Sequence, residues 1–100
     1  MAASDLRDEI VRGVILTILI QQHLEWVPCE VLRMQILRGQ GLALTSEEML
    51  FHLAYLSDPA RAYAELRPLR PGRPEKVVRA TAKAVDLHDG RIDPDPGVLF

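Results

Sequence analysis

The chain has 100 residues, of which 48% are hydrophobic and 26% charged, and it carries a net charge of −2. That length holds one core, the hydrophobic content excludes wholesale disorder, and the charge excludes a polycation that coats nucleic acid. A single cysteine, Cys29, excludes an internal disulfide, and no cysteine–histidine cluster has the spacing of a zinc site.

A first helix is expected from near Asp5 to about His23. Ser4 or Asp5 caps it, and Asp8 and Glu9 lie in the first turns, where the helix dipole favours negative charge. Leu6, Ile10, Val14 and Ile18 form one i,i+4 row, and Val11, Ile15 and Leu19 form the next. The β-branched run through Ile20 would also suit a buried strand, but the polar spacing before it favours helix. So wide an apolar face leaves one side for a partner. The run Ile10 to Ile20 is shorter than the ~20 residues a membrane span needs, and it follows acidic residues. No membrane association is expected, and the expected location is the cytoplasm.

Pro28 opens a second helix, because its missing N–H would be unpaired there anyway. Val31, Leu32, Ile36 and Leu37 are expected inward, Arg33 and Arg38 outward, and Gly41 ends the helix. Trp26 reads as an anchor between the first two helices. Thr45-Ser46-Glu47-Glu48 is a capping box that starts a third helix, with Leu44 and Met49 placed as a hydrophobic staple. Leu50, Leu53 and Ala54 are expected inward, with Glu48, Phe51, His52 and Tyr55 outward; Asp58-Pro59 closes the helix. Strands follow at 62–69 and 75–81, joined by Arg70-Pro71-Gly72-Arg73-Pro74, whose two prolines and glycine mark a hairpin loop. Val78 and Ala80 share one face, Val77 and Arg79 the other. Thr81 caps a short last helix, Ala82 to about His88, and Gly90 ends it. The tail Asp93-Pro94-Asp95-Pro96-Gly97 reads as irregular. The fold class is therefore mainly α with a β-hairpin (α+β): one domain over residues 1–92 and a C-terminal tail over 93–100.

Charge is unevenly distributed. Residues 1–60 hold four basic and eight acidic side chains, residues 61–83 hold seven and two, and residues 84–100 hold one and four. The basic block is a local field that acts within about a Debye length, ~8 Å at physiological salt. It serves equally well as a solvated hairpin or as an anion-binding surface.

Helix, helix, short turn, helix, hairpin is the order of a winged helix-turn-helix domain. Ala54-Tyr55-Leu56 leading to Ala62-Tyr63-Ala64-Glu65-Leu66 looks like a third helix entering the first wing strand. The stretch Val78-Arg79-Ala80-Thr81-Ala82-Lys83-Ala84-Val85-Asp86-Leu87, then Asp89-Gly90 and Asp95-Pro96-Gly97, looks like the wing's exit into a terminal helix. Over residues 28–97 the chain resembles small winged-helix proteins, ArsR-like in shape, of Mu-like transposable phages and prophages. Ala62 and Ala84 stand where such domains often carry glycine. The resemblance implies three helices, a two-stranded wing, a short C-terminal helix, and a recognition helix over residues 45–57.

That helix would bring Ser46 and His52 to DNA, yet it has no lysine or arginine and carries Glu47 and Glu48, which oppose phosphate. Arg67, Arg70, Arg73, Lys76 and Arg79 in the wing are the better candidates for a phosphate backbone or minor groove. The leading expectation is a phage or prophage regulator, active in the bacterial host cell, that binds double-stranded DNA mainly through a basic wing. The alternative is a protein-interaction module using Phe51, Tyr55 and Glu48, with dimerisation through the first helix and the Val98-Leu99-Phe100 tail. Catalysis is not expected: His23, His52 and His88 fall in different elements, and Cys29 at a helix start, where a thiolate could be stabilised, has no evident base. No metal or cofactor is expected.

Overall fold

A computed structural model describes residues 5–100. The elements are α1 (Leu6–Gln21), β1 (Val27–Pro28), α2 (Cys29–Gln40), α3 (Ser46–Ser57), β2 (Ala64–Pro68), β3 (Lys76–Ala80) and α4 (Ala82–His88). Four helices thus pack with an antiparallel sheet of three strands, in the order β1-β3-β2. The third strand corrects the expected two. Trp26-Val27-Pro28 is too short to carry an alternating signal of its own, and it becomes a strand by pairing Val27 with Val78 and Pro28 with Val77.

Asp5 caps α1 by accepting from the Asp8 amide at 2.9 Å, whereas Ser4, the other candidate cap, lies outside the described residues. Of the two apolar rows of α1, Val11, Ile15 and Leu19 are buried, and Leu6 and Ile10 of the other remain exposed. Pro28 precedes α2 rather than opening it, and Gly41 ends α2 in the left-handed region at φ 69°. Val31 and Leu37 reach solvent and Arg33 is half-buried, reversing three expected orientations. The capping box of α3 is formed on both sides: Thr45 Oγ1 accepts from the Glu48 amide at 3.0 Å, and Glu48 Oε1 accepts from the Thr45 amide at 3.1 Å. Leu44 and Met49 are both buried, as a staple requires.

The core lies between α1, α2, α3 and the inner sheet face. Ile15, Leu16, Leu19, Leu32, Ile36, Leu53, Leu56 and Val78 are all fully buried in it. The tail is irregular, as expected, but it packs on the domain. Val98 is buried in the core cluster, and the Leu99 amide donates to the Glu9 carbonyl at 3.0 Å. A Cβ at Gly13 would collide with the Leu99 carbonyl, so glycine is what lets the tail lie against α1. Ala84 sits buried inside α4, whereas Ala62 takes φ 55° just before β2.

Candidate nucleic-acid interface

The β2–β3 register sets Glu65 opposite Arg79 and Arg67 opposite Val77. Opposed residues share a face, and β1 extends that face with Pro28 beside Val77. Trp26, next to β1, meets the Arg67 guanidinium at 4.2 Å and that of Arg79 at 4.6 Å from its ring centroid. Arg79 also pairs with Glu65 at 3.1 Å. Trp26 thus lies against two cations of the outer sheet face, a contact its expected place between the first two helices does not announce. Two of the five hairpin cations are held by this stack.

Of the other three, Arg70 and Arg73 lie in the loop and Lys76 opens β3 opposite Pro68. Arg70-Pro71-Gly72-Arg73 closes a turn in which the Arg73 amide donates to the Arg70 carbonyl at 3.2 Å, with Gly72 at φ 73°. Proline second and a positive-φ glycine third is the residue pattern of a type II turn. The Leu69 amide, donating to the Glu75 carbonyl at 2.8 Å, fixes the base of the loop. Arg70, Arg73 and Lys76 are exposed and enter no ion pair among the described residues. Elsewhere cations are mostly engaged. Arg7 meets Glu48, Arg33 meets Glu30, Arg61 meets Asp58 and Asp95, and Arg91 meets Asp86 and Asp89.

Around α3 the expected outward residues are corrected by one position. Glu47, Leu50, Phe51 and Ala54 face solvent, at i, i+3, i+4 and i+7, whereas Met49, His52, Leu53 and Leu56 face the core. His52 is 1% exposed, so it cannot touch DNA as expected of it. Burial, followed by the nearby Arg12 guanidinium, holds its pKa below the ordinary value, so its 3.7 Å approach to Asp8 is not an ion pair at neutral pH. The wide apolar content of α3 conceals this rotation in the sequence, since Leu50 and Leu53 are equally plausible inward residues. Ser46 is exposed, and its hydroxyl donates to Glu30 at 3.3 Å. Glu48 bonds the Thr45 amide, which lowers its pKa, and pairs with Arg7.

Tyr55 is only half-exposed and makes no ridge with Phe51. Its hydroxyl donates to Asp95 at 2.8 Å, and its ring lies against the guanidiniums of Arg12 (3.8 Å) and Arg61 (3.6 Å). Tyr63 donates to the other oxygen of Asp95 at 3.0 Å. Burial, then the bond to Asp95, raises the Tyr63 pKa to about 12. Burial also raises the Cys29 thiol, to about 11, so the helix start does not stabilise a thiolate there and the side chain packs in the core. No group of three or more potential metal-ligating side chains occurs among the described residues, and no helix among them is long and apolar enough to cross a membrane.

No family model, curated protein or solved structure matches this chain.

Proposed function

We propose that the chain is a winged helix-turn-helix protein that contacts duplex DNA through its wing, formed by β2, β3 and the loop between them. On this reading it is a phage or prophage regulator. The order helix, short strand, helix, helix, hairpin supports the architecture, as does β1 closing the sheet beside β3. One observation carries the function: in a chain that engages most of its cations internally, Arg70 and Arg73 in the hairpin loop and Lys76 at the start of β3 enter no ion pair among the described residues. Phosphate is the natural counter-charge for such a group, and exposed arginines on a narrow turn also suit a minor groove.

This reading gives the wing, not α3, the main contact. The solvent face of α3 has no cation, and Glu47 would oppose a phosphate backbone. Binding is then dominated by three charges, and a log–log salt slope of about −3 is expected; about −4 to −5 would follow if Arg67 and Arg79 also left Trp26. Fluorescence anisotropy with a labelled generic duplex, titrated with salt, measures that slope. The triple variant Arg70→Ala, Arg73→Ala, Lys76→Ala is expected to abolish binding. An anisotropy change that survives in that variant overturns the reading. A second reading, a protein-interaction module on the same scaffold, is favoured by the apolar residues that α3 turns to solvent.

A further inference from the structure

The apex of the hairpin loop is narrow and open. Residues 70–74 are all exposed, and a Cβ at Gly72 would meet nothing within 4 Å. At that apex the chain carries only a proline ring and a glycine, which the φ of 73° favours. The hydrogen-bonding character of the loop is one-sided. From Pro68 to Pro74 no side chain has an acceptor, and the only polar groups among them are the guanidiniums of Arg70 and Arg73. Pro71 and Pro74 have no N–H, the Arg73 amide is engaged by the Arg70 carbonyl, and the Leu69 amide is engaged by Glu75. Behind the loop, a hollow of about 210 Å³ is lined by Leu69, Arg70, Arg73 and Glu75. The Glu75 carboxylate offsets part of the arginine charge there, which weakens the hollow as a seat for a phosphate.

A loop of that kind matches one surface of the double helix. In the minor groove A·T pairs show only acceptors, adenine N3 and thymine O2, whereas a G·C pair adds the guanine N2 amino donor. A side chain that can only donate is therefore satisfied over A·T and opposed over G·C. Runs of A·T also narrow the groove, which strengthens its negative potential and favours inserted arginine. No competing readout comes from α3. Its solvent face, Glu47, Leu50, Phe51 and Ala54, has no cation or carboxamide to bond guanine or adenine in the major groove. With the wing as the duplex contact, on which this inference rests, we propose that the loop carrying Arg70 and Arg73 selects the narrow minor groove of A·T tracts. Groove width and the missing amino group make the selection, so any order of A and T is accepted.

Fluorescence anisotropy of the full chain with three labelled duplexes of equal length tests the selection. One is an A-tract, one a G·C tract, and the third the same G·C tract with inosine in place of guanine, which removes only the N2 amino group. The A-tract is expected to bind about tenfold tighter than the G·C tract. Inosine is expected to restore most of that difference. The double variant Arg70→Lys, Arg73→Lys, at exposed positions, keeps the melting temperature and the salt slope but loses most of the preference, because an ammonium is more strongly hydrated than a guanidinium. Binding to none of the three duplexes overturns the wing as a duplex contact, and the selection with it. Equal affinity for all three, abolished by the triple alanine variant, leaves the wing as the duplex contact and overturns the A·T selection alone.

Discussion

Asp95 joins four parts of the chain. Its two oxygens accept from the hydroxyls of Tyr55 and Tyr63, one also accepts from the Gly97 amide at 2.8 Å, and Arg61 approaches at 3.7 Å. Burial alone would raise its pKa, but the Gly97 amide, the two hydroxyls and Arg61 outweigh it and hold the carboxyl below its ordinary value. Arg12 then ties the tail to α1 by donating to the Gly97 carbonyl at 3.3 Å. Hydrogen bonds to a buried charge are the strong ones. Asp95→Asn keeps the shape but loses the charge and leaves a hydroxyl facing an amide N–H. A loss of about 2 kcal/mol is expected in urea unfolding. Nothing in Asp93-Pro94-Asp95-Pro96-Gly97 announces this role, since a proline-rich acidic run reads as loop and its partners are 32 and 40 residues away.

At the scale of elements, the signals that held are local ones. The capping box of α3, the glycine stop of α2 and the hairpin punctuation depend on residues within four positions of one another, so they survive any tertiary context. The rotation of α3 and the pairing of β1 depend on what packs against them, which periodicity alone does not encode. The connection from α3 to β2 shows the difference well. Asp58 accepts from the Ala60 amide at 2.8 Å, and its carbonyl accepts from Ala62 at 2.7 Å. The resulting turn drives Ala62 to φ 55°, and the Ala62 carbonyl is held by the Thr81 hydroxyl at 2.6 Å. An alanine there carries a steric penalty of about 1 kcal/mol that glycine avoids. Ala62→Gly is therefore expected to stabilise the protein slightly, by about 0.5 kcal/mol at most once the greater freedom of the unfolded glycine is subtracted. A lower urea midpoint in the variant would contradict this account.

For the whole molecule, the charge zones read from the sequence become a spatial arrangement: an acidic end where α1 and α3 begin, and a cationic finger. The general order of helices and hairpin was legible, whereas the division of the five hairpin cations was not, because Trp26 reaches Arg67 and Arg79 only through the sheet. Acid stability should also report on the assembled body, in two stages. His52 has a lowered pKa when folded, so the unfolded chain takes up the proton first, and stability falls as pH drops below the ordinary 6.5. Asp95 is lowered too, and its contribution is complete above the ordinary 3.8 and disappears as pH falls through the folded value. Urea unfolding measured across pH is expected to show both declines. His52→Gln should remove the upper one and Asp95→Asn should reduce the lower, to which Glu30 and Glu48, also lowered, continue to contribute.

Trp26 is the only tryptophan in the chain, and it leans on two guanidiniums at the root of the finger. Its emission consequently reports on a single place. If Arg67 and Arg79 turn away toward a bound polyanion, the indole loses its cover and its spectrum moves to longer wavelength. If only the tip residues engage, the colour stays fixed while quenching by iodide changes little. The protein thus contains an intrinsic optical gauge of how deeply the finger is committed.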